Sequence, residues 1–253
     1  MPFLHPYLDH GRPIAFAHRG GTSAAPENTM RAFEDAVELG YSYIETDVHA
    51  TADGVLVAFH DPDLRRTCGI NATIAESTWE TVKSARVDGT DGIPLFADLL
   101  HTWPNIKWNI DCKSDEALLP LIQVLEEANC FDRVCIGSFS DKRLKTIRSH
   151  FGDKLCTSMG PREVTQFVAR ANAFLPLPQS VQALAAQVPV NQGPIPVVTA
   201  RSVAYAHKRN IAVHVWTIDD PVEIARLIDL GVDGVMSDDT RALRDVFIAK
   251  GIW

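Results

Sequence analysis

The chain has 253 residues, 46% hydrophobic and 22% charged, with a net charge of −8 and a pI near 5.5. That length accommodates one large core, and an acidic balance without a Lys/Arg stripe argues against nucleic acid as a partner. No apolar run approaches the roughly 18 residues of a membrane span, and the opening "MPFLHPYLDHGRP" lacks the basic and apolar regions of a signal peptide.

The first strand is expected over 13–18 (PIAFAH), ending on His18-Arg19. A helix over 28–39 follows. In "ENTMRAFEDAVELG" the apolar positions Met30, Phe33 and Val37 fall on one face with Ala32 and Ala36, and Gly40 stops it. The second strand, 43–48 (YIETDV), carries Glu45 and Asp47 two positions apart and therefore on one face. A third run, 55–60 (VLVAFH), ends on His60-Asp61. "TADG" at 51–54 leaves no room for a helix, and Asp53-Gly54 is a tight-turn signal, so this run is expected to fold back as a hairpin. Residue 50 would then face 55, and Glu45 would face His60. A parallel third barrel strand is the alternative, and it too delivers His60 to the same rim. Residues 61–106, with Gly, Pro and Thr throughout, read as a small insertion with helices near 78–84 and 94–101.

Further strands are expected at 107–112 (KWNIDC), 134–139 (VCIGSF), 154–159 (KLCTSM), 182–188 (QALAAQV), 212–217 (AVHVWT) and 234–238 (GVMSD). They alternate with helices over 115–128, 140–149, 161–171, 199–209, 220–230 and 240–249. In "DDPVEIARLIDLG", Asp219 or Asp220 caps a helix that has Pro221 in its first turn and Gly231 at its end. Strand–helix alternation implies parallel strands, and the number of units implies an α/β (β/α)8 TIM-type barrel, one domain over 1–253. Cys68, Cys112, Cys130, Cys135 and Cys156 are odd in number and lack CxxC spacing. Reduced structural thiols and a cytoplasmic location are expected.

Barrel chemistry gathers at the C-terminal ends of the strands. Here those ends read His18 and Arg19, Glu45 and Asp47, His60, Asp111 and Lys113, Ser138, Gln187, Trp216 and Asp238. Three carboxylates sharing one rim repel unless a cation neutralises them. The all-oxygen set Glu45, Asp47 and Asp111 suits one hard divalent cation, Mg²⁺ or Ca²⁺. Two histidines flanking that cluster suit a general base and a general acid on either side of a reacting centre. Arg19 and Lys113 supply the local positive charge that an acidic protein needs to hold a phosphate.

The segment "AHRGGTSAAPENTMRAFEDAVELGYSYIETDVHATADGVLVAFHDPDLRRTCG" resembles the amino-terminal half of the glycerophosphodiester phosphodiesterase family. The likeness rests on HRG at 18–20, PENT at 26–29, the E-x-D pair at 45 and 47, DG at 53–54 and HD at 60–61. "NIDCK" at 109–113, "VHVWTIDD" and "GVDGVMSD" continue it to about residue 240. The resemblance implies a (β/α)8 barrel with an insertion after HD and metal ligands at Glu45, Asp47 and Asp111. It also implies a catalytic pair, His18 and His60, with Arg19 and Lys113 on the phosphate. The chain departs from the family's pattern at 111, where Asp stands in place of the usual Glu. Glu27 and Asn28 of PENT, at a helix start, are expected to orient His18 or Arg19, with a helix-capping role as the alternative for Asn28. Trp216 is expected to wall the glycerol or head group.

The expected reaction is metal-dependent hydrolysis of a small-molecule glycerophosphodiester to glycerol 3-phosphate and an alcohol. One alternative keeps the site but takes lipid substrates, as a lysophospholipase D does. It requires an apolar groove, to which "NAFLPLP" at 172–178 is the pointer. Another is a non-catalytic metal- or phosphate-binding barrel, which would have no need of both histidines.

Overall fold

Alternation of inward and outward residues along each strand organises the molecule, whose structure, a computed structural model, describes residues 5–173 and 181–253. In chain order the strands are β1 (Ile14–Ala17), β2 (Tyr43–Ala50), β3 (Leu56–Ala58), β4 (Lys107–Cys112), β5 (Val134–Gly137), β6 (Cys156–Thr157), β7 (Ala185–Val188), β8 (Asn191–Gln192), β9 (Ile195–Pro196), β10 (Ala212–Val215) and β11 (Gly234–Ser237). The helices are α1 (Met30–Glu38), α2 (Arg65–Cys68), α3 (Trp79–Val82), α4 (Phe96–Thr102), α5 (Leu118–Ala128), α6 (Asp141–Phe151), α7 (Pro161–Ala173), α8 (Ala200–His207), α9 (Pro221–Leu230) and α10 (Thr240–Ala249).

Eight parallel strands run in the order β6-β5-β4-β2-β1-β11-β10-β7. The bridge between Ser158 and Ala185 joins the two ends of that order, so the (β/α)8 barrel closes. Residues on the inner face at the bottom of the barrel, among them Ile14, Phe16, Tyr43, Cys135, Cys156 and Met236, form one buried cluster. The outer face of the strands and the inner stripes of the helices form a second, which includes Ile44, Trp108, Ile110, Val213 and Phe247. Strand parity then carries Glu45, Asp47, Asn109 and Asp111 onto the inner face above the apolar floor.

β3 pairs antiparallel with β2 and stays outside the barrel order, as the hairpin reading requires. Its register differs by one residue from the expected one. Ala50 faces Leu56 rather than residue 55, and Val48 faces Ala58. The cause is a longer turn, in which Thr51 closes onto Val55 through its backbone amide and its hydroxyl. Continuing that register sets Thr46, not Glu45, across from His60.

The segment after β3 has its own small core of Leu64, Ile74, Val82, Val87 and Ile93. Phe96, Leu99 and Leu100 of α4 instead join the layer between strands and helices, so α4 is the barrel helix preceding β4. Asp220, not Asp219, caps α9. The "NAFLPLP" stretch lies outside the described residues from 174 onward. The five cysteines are free thiols, and all but Cys68 are buried. Among the described residues no helix is long and apolar enough to cross a membrane.

Candidate functional site

The chain leaves β1 through a tight turn at His18–Gly20 that puts Arg19, a residue with a Cβ, in the left-handed region at φ 53°. Such a conformation costs on the order of 1–3 kcal/mol and persists only where neighbours enforce it. Here it aims the Arg19 amide at Glu45, donating to Oε2 at 3.1 Å. Gly20 completes the turn at φ 82°, where a Cβ would come within 2.9 Å of the Ala32 and Phe33 backbone. The first histidine is therefore delivered by a turn whose close approach to α1 requires glycine at position 20.

His18 Nδ1 lies 2.7 Å from Asp238 Oδ1, and its Nε2 is 3.6 Å from Glu45 Oε2. Barrel closure makes the first contact: β1 and β11 are parallel neighbours with Ala17 opposite Ser237, so the next residues of each strand meet. Asp219 braces that end of β11, accepting from Ser237 Oγ at 2.8 Å and from the Asp238 amide at 2.8 Å. Burial works against a charged His18 ring, but Glu45 and Asp238 outweigh it and raise the pKa above the ordinary histidine value.

His60 is held the same way, with Nδ1 2.6 Å from Asp61 Oδ1. Arg66 Nε donates to the other Asp61 oxygen at 2.6 Å, and its guanidinium also binds Glu27. Glu27 in turn accepts from Arg19 Nη1 at 3.0 Å. Partial burial raises the Asp61 pKa, but hydrogen bonds from Arg66 and His60 prevail and bring it to about 2. Both imidazoles thus use Nδ1 on a carboxylate, which leaves Nε2 as the nitrogen for proton transfer.

Between the histidines sit the three carboxylates. Asp47 and Asp111 are register partners on β2 and β4, and Lys113 Nζ bridges them at 2.8 Å from each. Burial raises the Asp47 pKa, but Lys113 and then Arg19 bring it below the usual value; Arg19 Nε is 3.2 Å from Asp47 Oδ2. Burial would discharge Lys113, yet Asp47 and Asp111 raise its pKa well above normal. Glu45 has the opposite balance. Its burial and the Asp47 charge raise its pKa to about 7.

Asn28 occupies a place the sequence reading missed. Thr29 is the N-cap of α1. The Asn28 side chain instead donates to Asp47 Oδ2 at 2.9 Å and accepts from Thr46 Oγ1 at 2.7 Å, so it orients a carboxylate and does not reach His18. Arg19 is held by both PENT residues, its guanidinium by Glu27 and its carbonyl by the Asn28 amide at 2.9 Å. Asp61 and Asp238, named in the sequence as part of the HD motif and as a strand end, had no role assigned and prove to be the anchors of the two rings. Their signals were their places directly after His60 and at the end of the last strand.

Among the described residues no three His, Cys, Asp or Glu side chains form a ready-made metal cage, and the Lys113 ammonium lies between Asp47 and Asp111. The donor set nevertheless fits a hard cation. Asp111 Oδ1 is buried without a hydrogen-bond partner, and Glu45 has an elevated pKa that an added positive charge would reverse.

These groups open into one cavity of about 810 Å³, lined also by Ser138, Gln187 and Trp216 at the ends of other strands. Its far wall comes from α7, β7 and the β8–β9 hairpin and is mostly apolar, with Thr165, Asn172, Gln187 and Gln192 among the valines and Ile195. The sequence pointer to an apolar groove, "NAFLPLP" at 172–178, reaches this cavity through Asn172, and its residues from 174 onward lie outside the described ones.

Residues 18–242 match the sequence model of the Glycerophosphoryl diester phosphodiesterase family. A Mycobacterium tuberculosis protein described as probable glycerophosphodiester phosphodiesterase 2 is 37% identical over 254 residues, covering 98% of this chain and 95% of its own. The crystal structure of a glycerophosphodiester phosphodiesterase from Agrobacterium tumefaciens superposes with a TM-score of 0.75 at 21% identity, covering 92% of this chain and 98% of that one. An Oleispira antarctica phosphodiesterase, solved with its product sn-glycerol-3-phosphate, gives 0.77 at 20% identity over 94% of this chain and 97% of its own. At these identities the superpositions speak for the shared fold.

Proposed function

Since the chain belongs to the glycerophosphoryl diester phosphodiesterase family and is a phosphodiester hydrolase, we propose that it cleaves small glycerophosphodiesters to glycerol 3-phosphate and an alcohol, with His18 and His60 as its acid–base pair. The observation that carries this reading is the matched anchoring of the two rings, each with Nδ1 on a carboxylate at the mouth of one cavity. A barrel that merely binds phosphate has no use for two such dyads.

In this mechanism the phosphate enters between the histidines, and Lys113 and Arg19 balance its negative charge. His18 takes the proton of the nucleophile, either water or the neighbouring glycerol hydroxyl. The second route gives a cyclic phosphate that water then opens to glycerol 3-phosphate. In both, Asp238 and Glu45 stabilise the imidazolium that forms. As the new P–O bond is made, the bond to the leaving oxygen breaks, and His60 gives that oxygen a proton. Asp61, fixed by Arg66, keeps the His60 ring in place through the exchange.

Glu45, Asp47 and Asp111 would hold one divalent cation, Mg²⁺ or Ca²⁺, which neutralises charge on the phosphate and acidifies the nucleophile when bound. Lys113 would then be released from part of its pairing with the aspartates and become free to face the phosphate. The free thiols agree with a reducing, cytoplasmic setting.

The test is turnover of glycerophosphocholine followed by phosphorus NMR, with Mg²⁺ or Ca²⁺ and again after chelation. The reading requires glycerol 3-phosphate and choline in the first case and their loss in the second. Unchanged turnover after complete chelation contradicts the metal requirement, and no turnover under any condition contradicts the substrate.

A further inference from the structure

Gly137 is the last residue of β5 and the register partner of Asp111. Its backbone is ordinary strand, so no positive φ requires a glycine there. Glycine weakens a strand, and one kept inside it often marks the close approach of another group. A Cβ on Gly137 would stand 3.2 Å from Ser158 Oγ and 3.3 Å from Gln187 Oε1. Three neighbouring parts of the barrel thus leave a small notch in the cavity wall beside Asp111. β5 omits a side chain, the residue after β6 offers Ser158, and β7 offers Gln187.

The oxygens of this notch are uncommitted. Gln187 Nε2 donates to Asn109 Oδ1 at 2.5 Å, which fixes the carboxamide and leaves its oxygen towards Gly137. Among the described residues none hydrogen-bonds to Gln187 Oε1 or to Ser158 Oγ. Ser158 is 3% exposed and lines the cavity, so the cavity is where its hydroxyl finds a partner. Buried polar atoms left unpaired are costly, and these two converge on one small space. Both are neutral, so the space suits a neutral group that donates and accepts at once. An alcohol does this, accepting from Ser158 Oγ and donating to Gln187 Oε1.

We propose that the notch reads the terminal hydroxyl of the substrate's glycerol. Ser158 and Gln187 are then specificity-determining residues, and Gly137 is the gap that admits the hydroxyl. The inference rests on the phosphodiesterase reading above and adds the groups that select glycerol. Glycerol suits an enclosed end of the cavity, because the second alcohol has to leave through the mouth. Its 2-hydroxyl adjoins the phosphate, where it is one of the two nucleophiles. The terminal hydroxyl lies one carbon further on and reaches β5 while the phosphate stays beside Asp111.

The probes are glycerophosphocholine and its analogue with propane-1,2-diol in place of glycerol, which lacks only the terminal hydroxyl. The wild type should turn over the analogue with kcat/KM about 10–10²-fold lower, because two buried oxygens stay unpaired. Ser158→Ala should reduce that preference to about threefold or less, through lost efficiency on glycerophosphocholine. Gly137→Ala puts a methyl group into the gap and should act in the same way. A general loss of structure lowers both substrates alike and keeps the ratio, so the ratio separates recognition from stability. Calorimetry with glycerol 3-phosphate and propanediol phosphate reads the same preference without turnover. Equal kcat/KM for the two diesters in the wild type overturns the inference and leaves the phosphodiesterase reading standing. A preference that both variants keep in full assigns the hydroxyl to other groups and equally overturns it. Preferential binding of glycerol 3-phosphate with no turnover of any diester supports the notch and overturns that reading.

Discussion

His18 Nδ1 and Asp238 Oδ1 stand 2.7 Å apart although 220 positions separate them in the chain. The contact exists because the last strand closes the barrel against the first. It gives His18 the same kind of partner that His60 finds in the adjacent Asp61.

Asp238→Asn should lower kcat by roughly 10–10³-fold with little change in KM, because an amide neither stabilises the imidazolium nor enforces its tautomer. Divalent-ion affinity should be unchanged, since Asp238 is not one of the three proposed ligands. Steady-state kinetics with ion-binding calorimetry checks both halves. A rise in KM at constant kcat would show that Asp238 serves substrate binding instead.

Asp111→Asn removes one negative charge from the proposed cation site and should weaken Mg²⁺ or Ca²⁺ binding by roughly 10–10²-fold. Calorimetric titration of chelator-treated protein reads this without reference to turnover. Affinity equal to wild type would place the cation elsewhere.

His214 gives a prediction about stability. Its ring is fully buried against Phe16, its Nε2 has no partner, and Gln187 approaches Nδ1 at only 3.4 Å. Burial lowers its pKa from 6.5 to about 3. The unfolded chain therefore binds a proton at this ring that the folded protein refuses, and stability falls as pH drops from about 6.5 towards 3. The contribution is on the order of 5 kcal/mol across that window. Glu45 acts in the opposite sense, since its pKa of about 7 favours the folded state as pH falls below neutrality. The difference between wild type and His214→Leu isolates the histidine. Urea unfolding at several pH values should show the variant gaining on wild type as pH falls. A constant difference would mean that His214 keeps a normal pKa in its buried site.

The barrel was legible because each strand ends in a recognisable stop and each helix carries one apolar stripe, as in α1 with its Gly40 end. The inward carboxylates were legible from parity alone, since Glu45 and Asp47 sit two apart on β2. The β2–β3 hairpin announced itself through Asp53-Gly54. Its register did not, because Thr51 and Val55 extend the turn through bonds that the turn signal does not encode. Asp238 was visible as a strand end, but its partner depended on closure of the sheet. Asn28 looked like a cap because its neighbour Thr29 is one, and only the fold shows its side chain turned to Asp47. An apolar groove was suggested by "NAFLPLP" alone, and the rest of its lining was hidden for a related reason. Its residues come from α7, β7 and the small β8–β9 hairpin, and only tertiary packing brings them to one cavity.

The central claim is that His18 and His60 serve opposite ends of one displacement, and the leaving-group dependence of the two alanine variants tests it most directly. With glycerophosphocholine each of His18→Ala and His60→Ala should lose about 10²–10⁴-fold in kcat. With p-nitrophenyl glycerophosphate, whose leaving group needs no proton, His60→Ala should recover most of its rate and His18→Ala should not. Recovery by His18→Ala alone would exchange the two roles, and wild-type rates from both variants on both substrates would remove the histidines from the chemistry.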